Sequence, residues 1–563
     1  MVQHSELEHF LANEAAGLGN EVFVIRCSRT LMPKCQGMNL RVDTPENRRI
    51  SCDDCETRGR LLTKKAGYTT KYLDDFLRTE DFELADREVR RAMHSDWRNF
   101  SFDGIPFGRF WGYVPSIHFK TTDLGNNPQA LSDYWETARG NLLAYMCAKR
   151  IAADFAPDFA FVYSFEYPAN RSFLAGLSSN TTQVSFNHGW ASRRFSTVEE
   201  RLARVFSDPV LEAFESGSMT IPVSRRELTA LRQNLSESLQ GKNLFSYSPG
   251  LSKRSPSNVR QGLGLSSKKK VILFLLSSPD EIDAGNLAML RPEHRYFDDE
   301  LDLARLVGPV ARQFPASEVV VRLHPRLYPD RRVEFGSDRL EETLSLIEEA
   351  PNVTLNVPSD GIGLFDVAGI ASVAISTRSS SAWELGAMGL PVVFTDPTRD
   401  PTNTDFSRET RLAAGSSTYT LAMLRDKIQD GLEGNFSRHD RTKIVRFLVT
   451  LTVRSGVPLY GARQWPKREL ASLRRHTLSL LKRVLRRLAG PLNRLTAYRR
   501  WFNINLESHI YRLPRSGRSP MIVSRLATPA KEYPLTVPAS QDRSGLREMR
   551  LIQKLNRFGV GGT

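Results

Sequence analysis

The stretch Val271–Asp396 decides the fold, because it contains three apolar runs that break into polar residues: VILFLLSSPDE from Val271, EVVVRLHPR from Glu318 and ASVAISTRSSSAWELGAMGLPVVFTD from Ala371. Apolar runs that alternate with helical segments are typical of a parallel sheet in an α/β domain. Ligands of such sheets bind beyond the carboxyl ends of the strands, where loops and helix N-termini meet. We therefore expect the functional site in these loops.

The alternation of apolar runs and helical periodicity predicts a doubly wound sheet. The predicted strands are 271–276, 318–323, 352–356, 371–376 and 391–395. The predicted helices are 300–314, 338–349, 361–368, 380–388 and 420–432.

A chain of 563 residues is too long to fold around one compact core, so we predict two domains with extensions. Residues 1–250 form the predicted N-terminal domain and 271–462 the second domain. Between them, 251–270 is rich in Ser, Gly and Lys and is predicted to be a linker. A basic helical segment at 463–513 and a Pro- and Arg-rich tail at 514–563, expected to be disordered, complete the chain.

The charge of the chain predicts polyanionic partners, because its formal net charge is +15 and its pI about 9.6. The 463–513 segment places leucines on one side of a helix and arginines around them, which suits the surface of an anionic membrane. A basic helix packed on the protein is the alternative. No run of roughly 18 apolar residues or signal-peptide core is present. We expect a cytoplasmic protein, peripheral on the inner face of the plasma membrane.

Four of the five cysteines lie near the N-terminus, at Cys27, Cys35, Cys52 and Cys55. The Cys52-Asp-Asp-Cys55 spacing matches a knuckle that can hold zinc with two thiolates, whereas the first pair is more widely spaced. These cysteines predict either a structural zinc site or unrelated reduced thiols.

The N-terminal domain begins with a helical pattern at residues 5–19, followed by the apolar run EVFVIRC. A helix before a parallel strand normally follows another strand, so we expect a first strand missing from this chain, or a sheet that lacks one edge; a mis-assigned start is favoured. Further on, Glu166 and His188 follow predicted strands, where an active site can use them. The alternative for His188 is a turn residue beside Gly189.

The loops of the second domain carry groups suited to a phosphate. Ser379, Ser380 and Ser381 open a helix directly after a strand, and a helix N-terminus attracts anions. Such serines also occur as purely structural caps. Cationic side chains at the end of another strand (Arg322, His324 and Arg326) predict a second phosphate contact. Glu384 is placed to accept hydrogen bonds from a ribose, and Ser277 and Ser278 complete the rim.

The pair RLHPR and STRSSSAWELGAMGLPVV resembles the nucleotide-binding half of GT-B glycosyltransferases, and within them the capsule and surface-polysaccharide enzymes with His-Pro and Ser-Ser motifs. Bacterial sialyltransferases, Kdo transferases and teichoic acid glycerophosphotransferases share this motif pair. The resemblance is strong over 271–435 and loose over 5–200. It implies an α/β fold of two Rossmann-like domains with the basic helical extension added.

The resemblance implies that His324, Ser379 and Ser380 contact the donor phosphate and that Glu384 contacts the nucleotide ribose. Retaining enzymes carry another glutamate eight positions before the latter, where this chain has Ser376, so an inverting mechanism is favoured. Sialyltransferases take their base from an acidic pair before a glycine, and only Asp103 in Phe102-Asp103-Gly104 approaches that pattern.

The predicted function is transfer of a sugar from a nucleotide-sugar donor to a surface-polysaccharide or lipid-linked acceptor. Cationic residues and the helix N-terminus stabilise the leaving phosphate without a catalytic metal or other cofactor. The candidates for the base are Glu166, His188 and Asp103, in that order.

Other functions remain open at this level. A sugar-nucleotide epimerase or a glycerophosphotransferase would share the fold, and a non-catalytic scaffold subunit of a polysaccharide assembly complex is an alternative of another class. Nucleic acid is the least favoured partner, because the basic residues lie on a leucine-bearing helix without an RNA-binding aromatic motif or zinc-finger spacing.

Overall fold

The computed structural model divides into two compact units. The described residues are 8–9, 12–13, 15–35, 44–63, 66–121, 123–163, 167–187, 190–195, 222–241, 250–252, 254–288, 300–329, 335–347, 349–377, 379–395, 417–418, 421–435 and 438–450. Unit 1 contains the described residues up to 195 together with 287–288, and unit 2 contains the rest.

Unit 1 combines five short strands with helices. Its elements are β1 (Phe23–Arg26), α1 (Pro45–Thr63), β2 (Thr69–Tyr72), α2 (Thr79–Ala92), α3 (Phe107–Trp111), α4 (Tyr113–Phe119), α5 (Pro128–Phe155), β3 (Phe159–Tyr163), α6 (Pro168–Gly176), β4 (Thr182–Asn187) and β5 (Trp190–Phe195). Strands β1 and β2 pair in parallel, as do β3 and β4, while β5 runs antiparallel to β4. The predicted strand after the first helical pattern is therefore present as β1.

Helix α5 is the central element of unit 1. Asn127 caps its N-terminus by accepting a hydrogen bond from the backbone N–H of Ala130 at 3.0 Å, and Pro128 occupies its first position. Most of its 28 residues are buried through the middle of the helix, including Tyr134 and Leu142 at 0% exposure. A helix that is buried on most of its sides must pack against several other elements. Helix α5 therefore lies in the core of unit 1.

Unit 2 alternates strands and helices. Its elements are α7 (Arg225–Leu239), α8 (Pro256–Gly262), β6 (Val271–Leu275), α9 (Pro279–Ala288), α10 (Glu300–Arg305), α11 (Val307–Gln313), β7 (Glu318–Arg322), α12 (Leu340–Leu346), β8 (Val353–Asn356), α13 (Leu364–Ala368), β9 (Val373–Ser376), α14 (Ser380–Met388), β10 (Val392–Thr395), β11 (Ser417–Thr418), α15 (Leu421–Glu433) and α16 (Arg438–Val449).

The sheet of unit 2 has the order β11-β10-β9-β6-β7-β8, and every pairing is parallel. The chain builds outward from β6 on one side through β7 and β8, then crosses over to build outward from β9 on the other. This is the order of a dinucleotide-binding sheet, whose topological switch point lies between its first and fourth strands. Here those strands are β6 and β9.

Both faces of this sheet are covered, as its continuously apolar strands require. Leu273 of β6 faces a core built with α7, α8, α13, α14 and α16, whereas Phe274 faces a core built with α10, α11 and α15. The side chains of β6, β7 and β9 are buried throughout. The predicted α/β class and doubly wound parallel sheet are confirmed.

Three local features differ from the sequence expectation. The segment 251–270 is more than a linker, because α8 forms within it and Val259, Leu263 and Leu265 enter the core of unit 2. The helix predicted at 300–314 is divided at Leu306, because Pro309 lacks an N–H and its ring clashes with a carbonyl one turn earlier. Helix α9 directly after Ser278 was not predicted.

The basic segment 463–513 and the tail 514–563 lie outside the described residues, so the predictions for them stay predictions. Among the helices that the structure describes, none combines the length and apolar character needed to cross a bilayer.

Candidate functional site

The candidate donor site lies at the carboxyl edge of the unit 2 sheet. Leu275 at the end of β6 pairs with Arg322 of β7 on one side and with Ser376 of β9 on the other, so the three strands end level. Ser277 and His324 each lie two residues beyond this level. The strand register therefore brings together loops that are far apart in the sequence.

The N-terminus of α14 leaves β9 at the switch point. The backbone N–H of Ser379 donates to Ser376 Oγ at 3.1 Å, and the carbonyl of Ser379 accepts from Ala382 N–H at 2.9 Å. The hydroxyl of Ser379 makes no capping hydrogen bond to the helix. Ser379 and Ser381 are half-buried, and the side chain of Ser380 lies outside the described atoms. Ser376, by contrast, is fully buried, and its hydroxyl stabilises the turn by accepting the hydrogen bond from Ser379.

His324 is held at the end of β7 by a short 3₁₀ helix, Pro325–Leu327. Its Nδ1 accepts a hydrogen bond from the backbone N–H of Arg326 at 3.3 Å, so the neutral imidazole carries its proton on Nε2. The residue is partly exposed. A partly exposed donor fixed at the end of a strand is suited to an anionic ligand.

Arg322 lies in a different environment from the one that the sequence suggested. Its side chain is 5% exposed, and Nη1 donates to Asn356 Oδ1 at 2.6 Å and to the carbonyl of Ile362 at 3.0 Å. Burial lowers the pKa of Arg322 to about 10, while the carboxylates of Asp360 and Asp366 oppose the effect. Alternate residues of a strand face opposite sides of the sheet, so Arg322 follows Val320 towards the core. It joins the ends of β7 and β8.

Arg326 and Ser278 belong to a second buried polar group. Arg326 pairs with the carboxylate of Asp280, and its Nε lies 3.2 Å from Glu281 Oε1. Ser278 Oγ donates to Asp280 and lies 3.3 Å from Arg326 Nε. Asp280 is fully buried and Arg326 is 2% exposed. These contacts join the start of α9 to the 3₁₀ helix. Ser278 therefore has a structural role in this buried group.

Glu384 lies on α14, one turn beyond the serines. Its carboxylate accepts a hydrogen bond from Ser238 Oγ of α7 at 3.0 Å. Burial of the carboxyl group raises the pKa of Glu384 to about 7, and the Ser238 hydrogen bond opposes the increase. At neutral pH both protonation states are populated, so this side chain can donate as well as accept.

The three candidate bases lie in unit 1. Glu166 and His188 fall outside the described residues, but β3 and β4, which precede them, end side by side, with Tyr163 paired to Phe186. Asp103 lies in a turn at positive φ, followed by Gly104, also at positive φ. Its carboxylate accepts from Lys149 Nζ at 2.6 Å and from Tyr145 Oη at 3.1 Å. Asp103 is therefore paired by two groups of α5.

Glu8 is a carboxyl group that sequence reasoning missed. Burial raises the pKa of Glu8 to about 7, and a hydrogen bond from the backbone of Tyr163, at the carboxyl end of β3, opposes the increase. The neighbouring His9 is buried and contacts Tyr68 Oη. The location of Glu8 depends on the contact of this short N-terminal segment with the end of β3. The helical periodicity of the sequence does not predict that contact.

The four N-terminal cysteines occupy the turn after β1 and the middle of α1. Cys27 and Cys55 are exposed, and Cys35 and Cys52 are half-buried. Within the described ranges, no three His, Cys, Asp or Glu side chains are arranged as they stand to hold a metal ion. The predicted zinc site thus stays a prediction.

Comparisons with known proteins give only distant likenesses. No protein-family model matches the chain, and no curated protein matches it significantly. A solved structure named as a UDP-N-acetylglucosamine 2-epimerase, from Listeria monocytogenes, is 13% identical, with a TM-score of 0.27 over 65% of this chain and 93% of the other. CalG4, the calicheamicin glycosyltransferase, is 13% identical, with a TM-score of 0.27 over 83% of this chain and 94% of the other. Similarity at this level carries no argument about activity.

Proposed function

We propose that this chain is a nucleotide-sugar-dependent glycosyltransferase of the GT-B type, which moves a sugar to a surface-polysaccharide or lipid-linked acceptor. The observation that carries the proposal is the strand order of the unit 2 sheet, with its switch point between β6 and β9. In open parallel sheets, nucleotides bind in the crevice at this point. The nucleotide part of the donor is therefore assigned to the edge formed by Ser277, His324 and the start of α14.

The diphosphate or monophosphate of the donor is assigned to the N-terminus of α14. Backbone N–H groups and the positive end of the helix attract negative charge there, and the Ser379 hydroxyl is not used in capping the helix. His324 supplies a further donor from the end of β7. As the bond to the sugar breaks, these groups stabilise the charge that develops on the departing phosphate.

Arg322 and Arg326 have supporting roles in this proposal. Both guanidinium groups are buried among protein acceptors, so they fix the loops that carry His324 and Ser277. The charge of Arg326 is compensated by the Asp280 carboxylate, so this pair adds little to the potential at the sheet edge.

Glu384 is assigned to the ribose of the nucleotide. A carboxyl group with a pKa of about 7 accepts a hydrogen bond from a hydroxyl when ionised and donates one when protonated. The proposed reaction is a direct displacement that inverts the anomeric centre, with no metal required. The candidates for the base that removes the acceptor proton are Glu166, His188 and Asp103, to which Glu8 is added.

Nucleotide release from a panel of CMP-, UDP-, GDP- and CDP-linked sugars tests the proposal. We expect one donor to be turned over and His324→Ala to lower the rate by about 100-fold, because one stabilising contact to the leaving group is removed. His94→Ala, which removes an exposed histidine from unit 1, is the control. If no donor binds and His324→Ala changes nothing, the chain is not a glycosyltransferase.

A non-catalytic scaffold subunit is the second candidate, because two of the cations expected at the donor phosphate, Arg322 and Arg326, are directed into protein contacts. An epimerase or glycerophosphotransferase would use the same phosphate groups. An epimerised sugar that is still joined to its nucleotide identifies the former, and CMP release from CDP-glycerol identifies the latter. Absence of nucleotide binding identifies the scaffold.

A further inference from the structure

Ser238 is a polar residue on the apolar face of α7. Leu228, Leu231 and Leu235 of this helix are buried in the core of unit 2. Ser238 follows Leu235 by one helical turn, so it lies on the same face, and its side chain is 3% exposed. A buried hydroxyl without an acceptor destabilises a fold, so a serine on this face requires an acceptor on the element that it meets.

The acceptor is the carboxylate of Glu384 on α14. Ser238 Oγ donates to Glu384 Oε1 at 3.0 Å, although the two residues are 146 positions apart in the sequence. One carboxylate oxygen is thereby bound to the protein, while Glu384 as a residue is partly exposed. Because a carboxylate accepts hydrogen bonds through both of its oxygens, Glu384 keeps the capacity to accept one from a ligand.

The C-terminal end of α7 is held by contacts that do not involve α14. The carbonyl of Leu239 accepts the backbone N–H of Leu251 at 2.7 Å. The next residue, Ser252, donates from its N–H and from its hydroxyl to Asp366 Oδ1, at 3.0 and 2.8 Å. Asp366 lies in the first turn of α13. These contacts join the end of α7 to α13, so the Ser238 hydroxyl has a fixed position.

The backbone of α14 is held by a different element, α16. The guanidinium of Arg441 donates from Nε and Nη2 to the carbonyl of Ala387, at 3.1 and 2.9 Å. The rings of Trp383 and Phe447 lie 4.5 Å apart. These contacts position the helix but do not involve the side chain of Glu384. A glutamate side chain has several rotatable bonds, so its direction needs a further contact, which the α7 hydroxyl supplies.

We propose that Ser238 is a positioning residue, which holds the Glu384 carboxylate so that its second oxygen accepts a hydrogen bond from a ribose hydroxyl of the donor. The proposal rests on the function proposed above and adds the residue that fixes its ribose contact. A site built to hydrogen-bond a hydroxyl discriminates against the analogue that lacks it, because its polar group is then left without a partner. Ser238 therefore contributes to the preference for ribose over deoxyribose, although it does not itself touch the nucleotide.

Nucleotide affinity of the full chain, measured by calorimetry, tests the proposal. The probes are CMP, UDP, GDP and CDP, together with the 2′-deoxy and 3′-deoxy forms of the nucleotide that the wild-type chain binds most tightly. We expect the wild-type chain to bind at least one deoxy form about 10-fold more weakly, and Ser238→Ala to weaken binding of the ribonucleotide by about 10-fold and to lose this preference. Ser236→Ala is the matched control, because its hydroxyl lies on the same helix and accepts from Gln240 Nε2 at 2.9 Å. If Ser238→Ala does not fold, Ser238→Cys replaces it, because a thiol is a weak donor of similar shape.

A double-mutant cycle separates positioning from a purely structural role. In a Glu384→Ala background, Ser238→Ala should change nucleotide affinity by less than about 2-fold, because the hydroxyl acts through the carboxylate. Equal weakening with and without the Glu384 side chain overturns the proposal, as does a Ser238→Ala variant that binds the nucleotide as tightly as wild type. Both results leave the proposed function intact. A wild-type chain that binds none of the four nucleotides overturns the proposed function and this inference with it.

Discussion

At the scale of single residues, the basic side chains at the sheet edge of unit 2 differ in their surroundings. Some are buried and connect protein segments, and one is partly exposed to solvent. Arg322, His324 and Arg326 are alternate residues of one short segment, yet both arginines are buried in protein contacts and the histidine is partly exposed. The motif predicted that these residues follow a buried strand of the sheet. It could not predict the directions of the side chains, because these depend on where β7 ends and the 3₁₀ helix begins.

The buried pair of Arg326 and Asp280 gives a stability prediction. Asp280→Ala removes the fully buried carboxylate that pairs with the buried Arg326 guanidinium, so we expect the free energy of unfolding to fall by about 3 kcal/mol or more. Urea denaturation of the full chain measures this loss. The exposed pair Arg425 with Asp426 supplies the control, and Asp426→Ala should change stability by less than about 1 kcal/mol. Equal effects of the two substitutions would contradict the account.

Glu384 makes the stability of unit 2 depend on pH. Its pKa is raised from 4.5 to about 7 on folding, so between these values the unfolded state ionises while the folded state stays protonated. The free energy of unfolding should therefore fall as pH rises through this window, by at most about 1.4 kcal/mol per pH unit, and level off above it.

Glu384→Gln should remove this fall, which thermal unfolding measured at several pH values would detect. Glu349→Gln removes an exposed carboxylate from the same unit and controls for net charge. If the stability of the Glu384→Gln variant still falls as pH rises through this window, another group is responsible for the pH dependence.

At the scale of elements, strand positions could be predicted because each unit 2 strand is a short apolar run bounded by polar residues. Helix boundaries were harder, as the break at Leu306 illustrates. The partners of distant segments could not be predicted, since their positions depend on the whole fold. Nothing in the local sequence relates Glu8 to Tyr163, or Arg29 to Asp53 of α1.

The packing of α15 on the sheet depends on Gly431. A Cβ at this position would lie 2.8 Å from Val373 Cγ2 and 2.9 Å from Val373 Cβ of β9. Because a β-branched side chain in a buried strand cannot rotate away easily, Gly431→Ala should destabilise unit 2 by about 1–3 kcal/mol. Gln429→Ala on the exposed side of the same helix is the control. Thermal unfolding compares the two, and a Gly431→Ala variant as stable as wild type would show that α15 can shift.

At the scale of the whole molecule, the positive charge of the chain and the leucine-bearing basic segment 463–513 lead us to propose docking on an anionic membrane surface. A chain truncated after residue 462 should lose binding to vesicles that contain anionic lipid, in a sedimentation assay at moderate salt. Binding to neutral vesicles is the control. Truncated protein that sediments as well as the full chain would exclude the segment as the docking element.

Helix α5 has a consequence for the way unit 1 opens. At about 1.5 Å per residue its 28 residues span about 42 Å. Along that length, Asp133 pairs with Lys34 of the turn after β1, Arg150 pairs with Asp81 of α2, and Lys149 pairs with Asp103. Elements that share one buried partner cannot detach from it separately without exposing the same apolar surface. Backbone amides of α5 should therefore exchange with solvent in a single slow, concerted event, which makes this helix the cooperative unit of the N-terminal half.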